Sequence, residues 1–135
     1  MMKKILIPIL SFLFILTCTS QLHAQQIDNR IREIFANKAD EYFTANPGIL
    51  DVYNDLLQNR INLIVSPIVG DDKYPKLSEV PLLNKYNPDL KRDVVFDPLT
   101  FNVLKYSLNF FTNTTSVYRI DNTDYLIIIR GQVSK

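Results

Sequence analysis

The chain predicts an α+β fold, with two N-terminal amphipathic helices packed on a small antiparallel sheet that ends in a three-stranded meander. Three observations carry that expectation. Apolar residues recur at helical spacing through residues 28–59. Prolines forbid helix through the middle of the chain. Short runs rich in β-branched and aromatic residues, separated by Asn, Asp and Thr, fill the C-terminal part.

Ahead of the helices, residues 1–24 have the three regions of a cleaved secretory signal peptide. Lys3 and Lys4 open it, Ile5 to Leu16 are almost wholly apolar, and a polar end leads to Leu22 and Ala24, with cleavage expected between Ala24 and Gln25. A membrane span needs about 20 apolar residues, and this stretch is shorter and holds Pro8 and Ser11. After cleavage, therefore, no integral membrane segment is expected. Ile15-Leu16-Thr17-Cys18 also resembles a bacterial lipobox, so a lipid anchor through Cys18 is the alternative fate. Threonine is a poor residue at the position before that cysteine.

Residues 25–135 are expected to form one domain. Asp28 is placed to cap the first helix, whose buried stripe is Ile31, Ile34, Phe35, Ala39, Tyr42 and Phe43. Asn46-Pro47-Gly48 ends that pattern and starts another, with Asn46 as cap and Pro47 in the first turn. Ile49, Leu50, Tyr53, Leu56 and Leu57 continue it to Asn59. A strand follows over 61–66, stopped by Pro67. Residues 67–98 carry Pro75, Pro81, Pro88 and Pro98 and read as an extended, Pro-rich wrap held down by Leu77, Val80, Leu82 and Leu83. The meander occupies 107–130, as strands over 107–111, 116–120 and 124–130. Apolar residues on both faces of the last, Tyr125 to Ile129, predict a central or covered strand.

Composition narrows the chemistry. The whole chain has a formal net charge of +1, so loss of Lys3 and Lys4 leaves −1, with both signs interspersed. Nothing there favours nucleic acid or an anionic membrane surface. The chain has one cysteine and one histidine, Cys18 and His23, and both go with the leader. The exported domain therefore lacks the side chains that dominate nucleophilic and general-base catalysis, and it forms no disulfide. No Ser-x-x-Lys and no glycine-rich phosphate loop occurs. No cofactor is expected.

The remaining acid/base groups are carboxylates. Asp71 and Asp72 sit beside Gly70, and Asp89, Asp93 and Asp97 follow at steps of four. Paired carboxylates can hydrolyse glycosides, and hard cations take oxygen ligands. The spacing fits no EF-hand loop, and Asp also favours turns for its own local hydrogen bonds. Whether these five bind a cation is left open by the sequence. Asn113-Thr114-Thr115 is a glycosylation sequon in form, and reads simply as a turn. Tyr86 and Tyr106 lie in irregular stretches rather than on a helix stripe or strand face, and with Asn87 and Asn102 they form the expected partner surface. The competing reading is that these tyrosines pack.

Asn84-Lys85-Tyr86-Asn87-Pro88, then Phe96-Asp97-Pro98-Leu99-Thr100-Phe101-Asn102, then Tyr118-Arg119-Ile120-Asp121-Asn122-Thr123-Asp124-Tyr125 resemble small exported proteins of the Bacteroidota type, as does the Ala24-Gln25 junction. The resemblance spans most of the chain after the leader. It implies origin and a periplasmic or secreted location, and it carries no activity. The functional expectation is a non-enzymatic exported binding or adaptor domain for a protein or glycan partner. A small carboxylate-dependent hydrolase is one alternative. The other is a structural subunit of an envelope assembly, pairing through a free sheet edge.

Overall fold

The computed structural model describes residues 26–133. The expected leader, Cys18 and the expected cleavage site at Ala24–Gln25 lie outside the described residues. The fold is α+β, with helices in the N-terminal half and a three-stranded antiparallel sheet.

Helix α1 spans Asn29–Phe35, and Asp28 caps it as expected, accepting the Arg30 amide at 2.9 Å. Its stripe of Ile31, Ile34 and Phe35 is buried. The helix then breaks. Ala36 takes φ 51° and ψ −132°, which sends the chain through a 3-10 turn into α2, Ala39–Ala45. The expected first helix is thus two segments. The bend lets both Tyr42 and Phe43 reach Phe35, with ring centroids 4.9 and 4.7 Å away.

Asn46 does not act as the expected side-chain cap of the next helix. Its amide group instead donates to the Tyr42 carbonyl at 2.9 Å and closes α2. Pro47 opens α3, Pro47–Asp55, because its missing N–H has no intrahelical partner in that position. A π turn over Leu56–Arg60 delivers the chain to β1, Ile61–Val65.

The sheet order is β1-β3-β2, where β2 is Ser116–Arg119 and β3 is Tyr125–Ile129. The doubly apolar β3 is central. Ile61, Leu63 and Val65 lie opposite Ile129, Ile127 and Tyr125, and Ser116 and Tyr118 lie opposite Ile129 and Ile127. That face joins the helix stripes in one core with Leu56, Leu104 and Phe110.

The three-stranded meander is therefore corrected to a β2–β3 hairpin, with β1 supplying the third strand. Residues 107–111 do not join the sheet. Ser107 donates to Pro81, and Leu83 donates to Lys105, so the segment's start is zipped to the Pro-rich wrap. Beyond it, Leu108 donates to Tyr106 and Phe110 to Leu108, two tight turns that shorten the chain while burying Leu108 and Phe110. Alternating apolar residues satisfied the core without a ladder.

Candidate functional site

The phase of the ladder determines which backbone groups the sheet leaves open. In an antiparallel pair, hydrogen-bonded and non-bonded pairs alternate. Arg130 donates to Arg60 at 2.8 Å and Ser66 to Asp124 at 2.6 Å, so the even positions of β1 turn their peptide groups toward β3. The Ile120 amide donates to Tyr125 at 3.1 Å, which directs the odd positions of β3 toward β2 in agreement. Ile61, Leu63 and Val65 consequently point their backbone away from the sheet. The Ile61 N–H is closed on Leu56 by the π turn. The N–H groups of Leu63 and Val65 and the C=O groups of Ile61, Leu63 and Val65 have no partner among the described residues.

The opposite edge differs. Arg119 on β2 donates its amide to Pro75 at 2.9 Å and forms a parallel bridge with Lys76, so the chain's own wrap occupies that edge at its Arg119 end. The cover is fastened by side chains. Arg119 grips both oxygens of Asp72 at 2.8 and 3.2 Å and reaches the Ser66 carbonyl at 2.6 Å. The guanidinium hydrogen bond outweighs burial and lowers the Asp72 pKa below the usual carboxylate range.

Beside the open edge lies a cavity of about 400 Å³ lined by Leu57, Ile61, Leu63, Pro98, Leu99 and Phe101, with Arg30 at its rim. Arg30 is paired to Asp28 at 2.9 Å. From the last two residues of β1 onward the chain exposes apolar side chains: Ile64, Val65 (63 %), Ile68 and Val69 (88 %). Leu99 on the cavity wall is 92 % exposed. Large apolar groups clustered at one edge are the usual mark of an interaction surface.

Of the four residues expected to form a partner surface, Asn102 and Tyr106 are buried, while Tyr86 and Asn87 are half-buried. Asn102 is 3 % exposed: its amide group donates to the Arg30 carbonyl at 3.0 Å and to Glu33 at 2.8 Å, and its oxygen accepts the Leu104 amide. Tyr106 is equally buried, stacked on Phe101 with its hydroxyl donating to Asp93 at 3.1 Å. Burial raises its pKa above the ordinary phenol value. Tyr86 is half-buried and stacks on Phe35 at 4.6 Å, and Asn87 donates to the Glu33 carbonyl at 2.8 Å. Tyr86 and Asn87 tie the wrap to α1, Asn102 ties the turn after it to α1, and Tyr106 ties that turn to the wrap. Their placement off any periodic stripe reflects packing by an irregular segment, which leaves no periodicity to read.

The aspartates are also dispersed. Asp93 sits between the buried Lys105 ammonium at 2.9 Å and Tyr106, in a cavity of about 220 Å³ with Asp121 and Ser78. For Asp121, burial raises the pKa, but the hydroxyl and amide of Ser78 donate to its carboxylate and leave it lowered overall. Asp97 accepts the Leu99 amide within its own turn, and Asp71 and Asp89 are exposed. Among the described residues no three His, Cys, Asp or Glu side chains converge as a metal site. No helix there is long and apolar enough to cross a membrane.

Sequence reasoning missed the open edge of β1, although the signal was present: Ile-Asn-Leu-Ile-Val has no charge and no proline. It also missed Arg60, buried at the entry to β1, where its guanidinium donates to the carbonyls of Arg130 and Phe110. Compared with protein-family models, curated proteins and solved structures, the chain matches none.

Proposed function

We propose that this chain is an exported, non-enzymatic binding or adaptor domain that takes a protein partner as an extended strand along β1. One observation carries the reading: an uncharged edge strand with outward N–H and C=O groups unpaired, beside a cavity. Added strands gain affinity from main-chain bonds and specificity from pockets for alternate side chains. The edge favours protein over glycan, since a sugar offers no repeating amide ladder. The leader at 1–24 supports export.

The carboxylates support a hydrolase less. Asp93 is engaged by Lys105 and Tyr106, and Asp121 is held in its ionised form by Ser78, whereas acid/base hydrolysis needs one carboxyl kept protonated. The test is capture of envelope components by the full-length protein and by a Val65→Lys variant. Protein captured by the parent and lost in the variant is the expected result. Capture of glycan alone, or capture that Val65→Lys retains, overturns the edge assignment.

A further inference from the structure

We propose that the strand received by β1 is β1 of a second copy of this chain, antiparallel about a two-fold axis at Leu63. This rests on the reading of β1 as the binding edge, and names its partner.

The open groups are self-complementary. A two-fold axis at Leu63 sets the Leu63 amide of each copy against the Leu63 carbonyl of the other. It also sets each Val65 amide against the other copy's Ile61 carbonyl. The remaining partner in that pattern would be the Ile61 amide, and it is already closed on Leu56. Only the Val65 carbonyl stays unmatched, at the exposed end of the strand. The four bonds join two sheets into one of six strands.

Charge permits the match. Ile61–Val65 holds no ionised side chain, and the Arg60 guanidinium before it turns inward to Phe110 and Arg130, so the two copies oppose no like charges along the strand. Monomeric proteins commonly guard an edge with lysine, proline or a bulge, and β1 has none of these. The two-fold also sets Val65 of each copy beside Ile61 of the other, which lines the cavity of about 400 Å³ with Leu57, Pro98 and Leu99. Val65, with Ile68 and Val69 after it, presents exposed apolar side chains on that side. A five-residue strand alone falls short of the roughly 800 Å² per partner of a standard interface, and these exposed side chains extend the contact.

The assembly stops at two copies. The Pro75–Lys76 segment occupies the outer edge of β2 at Arg119, so that edge keeps outward groups only at Val117, too few for a second ladder with a further copy. An isologous contact of this kind closes, whereas a head-to-tail one would propagate.

The experiment is mass by light scattering of the full-length protein across a wide concentration range, alongside Val65→Lys and a register test. In a Cys18→Ser background, Asn62→Cys chains are mixed with Ile64→Cys chains. The two-fold makes these a non-hydrogen-bonded pair, about 4.5 Å apart at Cα and within disulfide reach. Expected are twice the mass of one chain, dissociation by Val65→Lys into a monomer whose circular-dichroism spectrum is that of the parent, and a mixed disulfide. A single-chain mass at every concentration overturns self-pairing. So does a dimer that ignores Val65→Lys and forms no mixed disulfide. A monomer that still captures another protein, and loses capture with Val65→Lys, overturns self-pairing but leaves the edge reading standing.

Discussion

Arg119 holds Asp72 through two hydrogen bonds, 2.8 Å from Nε to Oδ2 and 3.2 Å from Nη2 to Oδ1, across 47 positions of chain. Arg119 sits on β2 and Asp72 in the turn after Gly70, so the pair fastens the start of the wrap to the hairpin. Bidentate guanidinium–carboxylate pairs fix orientation as well as contributing energy. The same clasp holds the wrap on one edge of the sheet at Arg119 and leaves β1 as the open one.

Asp72→Asn should loosen that clasp and do so in a pH-dependent way. The folded-state pKa of Asp72 lies below its unfolded value, chiefly through the Arg119 hydrogen bond. Its stabilisation is therefore present above the unfolded pKa, near 3.9 for a free aspartate, and is lost as pH falls through the folded value. Denaturant unfolding of both proteins should show a gap at neutral pH that closes in acid. A gap of constant size down to the lowest pH would show that the carboxylate charge is not what holds the wrap.

Gly131→Ala tests how the chain leaves the sheet. A Cβ at Gly131 would fall 2.2 Å from the Asn113 carbonyl oxygen and 2.9 Å from the Thr114 nitrogen. Both are backbone atoms that a rotamer change cannot clear. The Gln132 amide donates to Thr112 next to it, so the terminal residues brace the 112–115 turn. Overpacking of this kind costs about 1–3 kcal/mol. The expected outcome is a lower thermal midpoint and faster amide exchange at Gln132; unchanged values at both would refute the close approach.

Ala36→Gly should act in the opposite direction. At φ 51° and ψ −132°, alanine occupies a region that suits glycine, and such backbone strain costs about 1–3 kcal/mol. Glycine removes the strain but adds about 0.5–1 kcal/mol of unfolded-chain entropy. Net stabilisation of roughly 1 kcal/mol is expected in denaturant titration. A loss of stability would mean that α1 and α2 run on without the break.

The helix stripes and β3 were legible because each repeats an element's own period: Ile31, Ile34 and Phe35 at helical spacing, and Tyr125 to Ile129 apolar on both faces. The kink at Ala36 was not, because nothing in Phe35-Ala36-Asn37 disfavours helix locally and tertiary packing of Tyr42 and Phe43 on Phe35 decides it. Residues 107–111 alternate like a strand, yet their partner is the wrap at Pro81–Leu83, a pairing set by long-range topology. The same limit hid the site. Tyr106 and Asn102 looked like surface residues because they sit in irregular chain, whereas Tyr106 is bonded to Asp93 of the wrap and Asn102 to Arg30 and Glu33 of α1, and both are buried.

The aromatic cluster under that wrap yields the last prediction. Tyr53 is 5 % exposed, edge-on to Phe35 at 5.7 Å and to Phe43 at 6.1 Å. Burial pushes its pKa up to about 12, with smaller contributions from Tyr42 and Tyr86, whose phenolates would repel a third. Because the folded value lies above the unfolded one, near 10 for free tyrosine, the neutral phenol's contribution is complete below pH 10. It drains away as pH rises toward 12, since the unfolded chain ionises first. Two pKa units correspond to about 2–3 kcal/mol. Ultraviolet titration of Tyr53→Phe against the parent should remove one late-ionising phenol. The variant should also hold its stability better than the parent between pH 10 and 12. Equal alkaline stability in the two proteins would place the Tyr53 hydroxyl in water and refute its burial in the cluster.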